Sequence, residues 1–175
     1  LANRPHVKTH KSPFLARRQL TAGAIGITCQ KLGEAEIMAD AGITDILIAT
    51  NIIGAARSGR LTAVQRRTPL KICADNPFSI NLYSEAGRAA QRPVSVVIEC
   101  DTGQKRAGVM TPAEVVKLAK VIKKDPWLEF GGLMFYPPVN DWSATQKFLD
   151  ATHNGLTDLG SVSYTHLTLP TMDSV

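Results

Sequence analysis

Aromatic residues are scarce in this chain, at 6% of 175 residues, and they are not interleaved with the basic ones. That scarcity removes the stacking platform on which single-stranded nucleic acid is held. It also decides how the net charge of +5 is read, because Arg17-Arg18, Arg66-Arg67, Lys105-Arg106 and Lys123-Lys124 are spread along the chain. A nucleic-acid surface gathers its cations into one patch that displaces counterions from phosphates. Solvated helix faces and a small anionic ligand account for the charge better, and no nucleic-acid partner is expected. Long hydrophobic runs are missing too. Nothing approaches the roughly 18–20 apolar residues that span a bilayer, and Leu1 to His10 hold no signal-peptide stretch. A cytoplasmic protein without membrane association is expected. Cysteines are few and odd in number, and Cys29, Cys73 and Cys100 lack the C-x-x-C spacing of a zinc site. Each belongs to an apolar, strand-like run, so buried reduced thiols are expected. No G-x-G-x-x-G follows the first such run, which weakens a dinucleotide-binding reading.

What the chain does have is a steady alternation of strand and helix patterns. Strand-like runs cover residues 5–8, 24–29, 45–49, 70–74, 94–100 and 130–135, rich in Val, Ile and Leu without clean polar alternation. Buried parallel strands read this way. Between them, Ser12-Pro13 opens a helix that Gly23 closes, and Glu34 to Ala41 runs into Gly42. Thr111-Pro112-Ala113-Glu114 combines a cap, a proline at the first helical position and an early acid. Val115, Leu118, Ala119 and Ile122 then mark one apolar face, ending in Lys123-Lys124. Repeated strand–helix rounds imply an α/β fold with a parallel sheet, either doubly wound or a closed (β/α)₈ barrel. A barrel takes about 250 residues, so a closed barrel would be an incomplete one here.

Polar residues gather just after the strand-like runs: His10, Gln30, Asn51, Asp75-Asn76, Asp101 to Arg106 and Tyr136. In barrels that end carries the chemistry. Arg4-Pro5-His6-Val7-Lys8-Thr9-His10-Lys11 places five potentially cationic side chains in eight residues. On an extended chain His6, Lys8 and His10 share one side. A lysine among cations has its ammonium form disfavoured, which makes the nucleophilic amine available; a basic surface loop is the alternative. In Glu99-Cys100-Asp101-Thr102-Gly103-Gln104-Lys105-Arg106-Ala107-Gly108, two glycines frame a basic pair. There Asp101 either orients Arg106 or caps the turn.

The runs RPHVKTHKSP, GITCQKLGEAEIMADAGI, ECDTGQKRAGV and GLMFYPP, taken together, resemble the fold-type III pyridoxal 5′-phosphate (PLP) enzymes, closest to the D-threonine aldolase and D-serine dehydratase group, which shares its barrel with alanine racemases. The resemblance covers roughly residues 3–160 and implies an incomplete (β/α)₈ TIM barrel with its first and last strands missing. It implies a PLP-dependent lyase of D-β-hydroxy amino acids, with Lys8 joined to PLP and moving protons. Arg106 then faces the cofactor's phenolic oxygen and Tyr136 lies beside its ring, while Gln30, His6 and His10 line the pocket. An amino-acid racemase is the second reading, and a non-catalytic PLP carrier the third. The resemblance further implies a PLP-binding domain over residues 1–160 and a missing carboxyl-terminal β-domain that carries divalent-metal ligands. A homodimer is compatible with it. The family's glycine-rich phosphate loop is begun at Ser161-Val162-Ser163 but not completed by Tyr164 to Thr171. Residues 161–175 resemble translated sequencing-adapter sequence and are expected to be non-native. The incomplete barrel is expected to be poorly stable and inactive alone.

Overall fold

The structure, a computed structural model, describes residues 2–138 and 142–157. Five parallel strands form one sheet in chain order: β1 (Ile27–Cys29), β2 (Ile46–Ile48), β3 (Leu70–Ala74), β4 (Val94–Cys100) and β5 (Leu128–Phe135). In register, Ile48 faces Cys29 and Ile72, and Val96 faces Ile72 and Phe130. Parallel neighbours need crossovers. These are α2 (Leu32–Asp40), α3 (Ser58–Arg67), α4 (Pro77–Ala90) and α5 (Pro112–Lys124), with α1 (Pro13–Thr21) ahead of β1 and α6 (Trp142–Thr157) after β5. A sheet whose strands follow in sequence, each with its helix, is an arc of the expected barrel.

The helices start where local chemistry starts them. Ser12 Oγ accepts the Leu15 N–H at 3.4 Å, and Asn76 Oδ1 accepts the Ser79 N–H at 2.9 Å. Thr111 and Glu114 complete a capping box, each side chain accepting the other's main-chain N–H. A proline follows each of these caps, where its missing N–H costs nothing. Gly23 and Gly42 follow α1 and α2 at φ of 100° and 80°, in the left-handed region that suits glycine after a helix. Val115, Leu118, Ala119 and Ile122 of α5 are buried, as are Val94, Val96 and Ile98 of β4. The three cysteines are free and buried. Burial pushes the thiol pKa of Cys29 and of Cys100 up to about 12.

The first strand-like run is shorter than expected. His6 bridges Thr28, Val7 N–H donates to Thr28 O at 2.8 Å, and Thr28 N–H donates to Pro5 O at 2.8 Å. The extended chain stops there. Lys8 to His10 form a turn, closed by the Lys11 N–H on Val7 O at 2.8 Å. The alternation that would have put His6, Lys8 and His10 on one side therefore does not apply. The reason lies in the two histidines, whose ring nitrogens accept nearby main-chain N–H groups and favour a turn over a ladder. Residues 158–175, which include the begun phosphate loop and the tail, lie outside the described residues.

Candidate active site

The first cluster sits at the carboxyl ends of residues 5–7 and β1. The extended chain ends at Val7, and Lys8 follows in the turn with its side chain exposed. His6 Nδ1 accepts the Lys8 N–H at 3.3 Å, while Nε2 lies 3.1 Å from Gln30 Oε1. A nitrogen that accepts carries no proton, and an amide oxygen cannot donate. The arrangement therefore selects the neutral imidazole with Nε2–H donating to Gln30. Burial, then the nearby Lys8 charge, lowers the His6 pKa below its usual value, against smaller opposing effects of Gln30 and Glu34. Glu34, in the first turn of α2, accepts the Gln30 main-chain N–H at 2.7 Å, and its other oxygen lies 4.0 Å from Lys11 Nζ. His10 repeats the His6 pattern, Nδ1 accepting the Ser12 N–H at 3.0 Å. Its Nε2 is buried and has no partner among the described residues.

The second cluster is the loop after β4. It is closed at its base by Asp101 N–H on Val109 O and Val109 N–H on Glu99 O, both at 2.9 Å. Asp101 turns out to cap the turn: its carboxylate accepts the main-chain N–H groups of Gly103, Lys105 and Arg106 at 2.8, 3.0 and 3.0 Å. Gly108 has φ of 105°, and a Cβ there would lie 2.7 Å from Cys100 C and Asp101 N, so only glycine closes the loop. Thr145 Oγ1 of α6 donates to the buried Thr102 Oγ1 at 3.0 Å and pins the loop. Arg106 is thereby presented with its guanidinium carbon 5.5 Å from the centre of the Tyr136 ring, in a cation–π contact. Tyr136 keeps 57% of its surface exposed.

No hydrogen bond or ion pair among the described residues joins Lys8 to Arg106 or Tyr136. Polar strand ends span the distance instead. Thr50 Oγ1 donates to Gln30 O at 2.7 Å, Asn51 Oδ1 accepts the Asp75 N–H at 3.3 Å, and Asp75 Oδ2 accepts the Gly108 N–H at 3.3 Å. Glu99, at the end of β4, is 8% exposed. Its carboxyl pKa is raised by burial first and by Asp75 second, with Arg106 opposing. Sequence reasoning gave Glu34 and Glu99 no role. Glu34 carries a usable signal, an acid four residues after Gln30 in a helix's first turn; Glu99 carries none until β3 and β4 are paired.

A parallel α/β barrel segment, with a lysine, a guanidinium and two histidines collected at the carboxyl ends of its strands, has the layout of a barrel enzyme's cofactor-binding domain. The chain belongs to the family described as alanine racemase, N-terminal domain, which matches residues 3–167. It is 40% identical over 136 residues to D-threonine aldolase of Arthrobacter sp., covering 78% of this chain and 36% of that protein. It is 40% identical over 106 residues to D-threo-3-hydroxyaspartate dehydratase of Delftia sp., covering 61% and 28%. Among solved structures, D-threonine aldolase from Filomicrobium marinum superposes with a TM-score of 0.85 at 32% identity, over 92% of this chain and 47% of that one. Alanine racemase from E. faecalis, at 20% identity and a TM-score of 0.69 over 89% and 43%, shares the fold. The chain spans about a third of the length of the curated relatives it matches. The expected membership in the fold-type III group of these aldolases and dehydratases is borne out. No helix among the described residues is long and apolar enough to cross a membrane.

Proposed function

We propose that the complete protein is a PLP-dependent lyase of D-β-hydroxy amino acids, of the aldolase or dehydratase type, with Lys8 as the cofactor-bearing residue. The observation that carries this is the placement of Lys8, an exposed primary amine in the turn at the carboxyl end of the first barrel segment, next to the His6–Gln30 pair. The donor set fits the cofactor. It offers an amine able to condense with an aldehyde, a guanidinium stacked on a tyrosine ring, and the buried His10 Nε2 that lacks an acceptor. Bound PLP supplies an electron sink for the bond broken at the substrate α-carbon. The chain's own residues bind and move protons: Lys8 Nζ takes or returns one at that carbon, and Arg106 offers a fixed positive charge to an anionic ring oxygen. Tyr136 offers its ring face to the guanidinium of Arg106, and His6, His10 and Gln30 shape the wall beside Lys8. Relatives named as aldolases and dehydratases, at 32–40% identity, support a lyase over a racemase or a carrier.

Among the described residues no group of three His, Cys, Asp or Glu is placed to hold a metal. A divalent cation in the complete protein would take its ligands from elsewhere in the chain. The reading also includes a cytoplasmic setting, supported by the free thiols, and compatibility with a homodimer. The test is borohydride trapping of PLP on the full-length protein and on Lys8→Ala. Trapped cofactor is expected in the first alone, and covalent cofactor retained in K8A sinks the assignment. Assays with D-threonine and D-serine, with and without EDTA, then separate the branches.

A further inference from the structure

We infer that His6 is a positioning residue: its neutral imidazole, held by Gln30, fixes the turn that carries Lys8. The inference rests on the reading of Lys8 as the cofactor-bearing residue. Four groups stand in line. Glu34 on α2 accepts the Gln30 N–H at 2.7 Å, Gln30 Oε1 accepts from His6 Nε2 at 3.1 Å, and His6 Nδ1 accepts the Lys8 N–H at 3.3 Å. An acid on a helix thus holds the main chain of Gln30, whose side chain and the His6 imidazole carry the link to the main chain of Lys8. Val7, between His6 and Lys8, is fully buried, so the turn is held from the core on one side and by the imidazole on the other. A lysine with four rotatable side-chain bonds gains precision from a fixed main chain. Protonation undoes the arrangement, since a protonated Nδ1 donates and can no longer accept from Lys8. The charged groups that bear on His6 are Lys8 from its own segment and Glu34 from α2, the first disfavouring the imidazolium and the second favouring it.

Two variants separate this role from packing. In His6→Asn the Oδ1 stands where Nδ1 stood and accepts from the N–H two residues on, as in an Asx turn; in His6→Gln the oxygen falls near the Nε2 position and the brace is lost. In the full-length protein, hydrogen exchange at the Lys8 amide is expected to quicken about tenfold in H6Q and to return within about threefold of the parent in H6N. The rate at which borohydride-trappable PLP accumulates is expected to fall in H6Q and to recover in H6N. Parental exchange in H6Q, or equal losses in both variants, overturns the inference. If H6Q does not fold, the unaltered protein serves: protection of the Lys8 amide falls about tenfold as pH drops from about 7.5 to about 4.5, and constant protection overturns it. K8A reports separately on the reading beneath. Cofactor trapped in K8A removes Lys8 from its role and leaves the exchange result to judge His6.

Discussion

At the scale of single residues, Glu99 ties burial to pH. Its carboxyl feels the charges of Asp75 and Arg106 from a mostly apolar strand, and burial leads the causes that raise its pKa above 4.5. A group whose folded pKa is raised contributes stability that is fully present below its unfolded pKa and is lost as pH rises through the folded value. Above the unfolded value the raised pKa is therefore a liability. Replacing Glu99 with Gln is expected to raise Tm at about pH 7 and leave it nearly unchanged at about pH 4, as measured by thermal melts across that range. An equal shift at both ends would point to packing as the cause. Tyr83 shows the neutral counterpart of such a group. Its buried hydroxyl accepts the Ile52 N–H at 2.8 Å and donates to Cys73 O at 3.0 Å, so its burial leaves nothing unpaired.

Elements are decided by caps at their ends and apolar stripes along their sides. In α5 the Thr111–Glu114 box satisfies main-chain donors that the first turn otherwise leaves free. Thr111→Ala is expected to cost about 1 kcal/mol, a fall in Tm of roughly 2–4 °C, visible by calorimetry. Because α5 follows the Arg106 loop, the same change is expected to loosen Val109, which hydrogen exchange along residues 101–110 would register. These caps were legible in the sequence: the Ser12, Thr111 and Gly42 signals all sit within a few residues of what they terminate. The stretch from Pro5 to Lys8 was not. Its composition suits a strand, yet two imidazoles offer the main chain nearer partners than a second strand can, and the chain turns at Lys8.

On the scale of the whole molecule, Asp45 fastens three parts of the chain at the end of the sheet opposite the candidate site. Arg4 Nη1 lies 3.0 Å from Asp45 Oδ1 and Lys71 Nζ lies 2.9 Å from it, joining the first segment, the approach to β2 and β3. Burial acts to raise the Asp45 pKa, but the hydrogen bonds and charges of Arg4 and Lys71 together bring it below 3.8. The sign is the reverse of that for Glu99: stability is present above the unfolded pKa and is lost as pH falls through the folded one. Asp45→Asn is expected to flatten the decline of Tm between about pH 5 and about pH 3. An unchanged slope would mean that the acid transition belongs to other carboxylates. Gly26 makes room for this junction, since a Cβ there would meet Arg4 Nη1 and lie 2.6 Å from Asp45 O.

The amino-acid order alone determined the alternation of strand and helix, the caps and the buried faces. All of these depend on neighbours within one or two helical turns. Only the folded chain decided that His6 meets Gln30, that Asn51 accepts from Asp75, and that Asp75 reaches Gly108. Those choices wait on strand register, which brings together residues 24 to 33 positions apart, such as His6 with Gln30 and Asp75 with Gly108. No local pattern specifies such a meeting, because it is the packing of helices over β1 to β5 that sets the register.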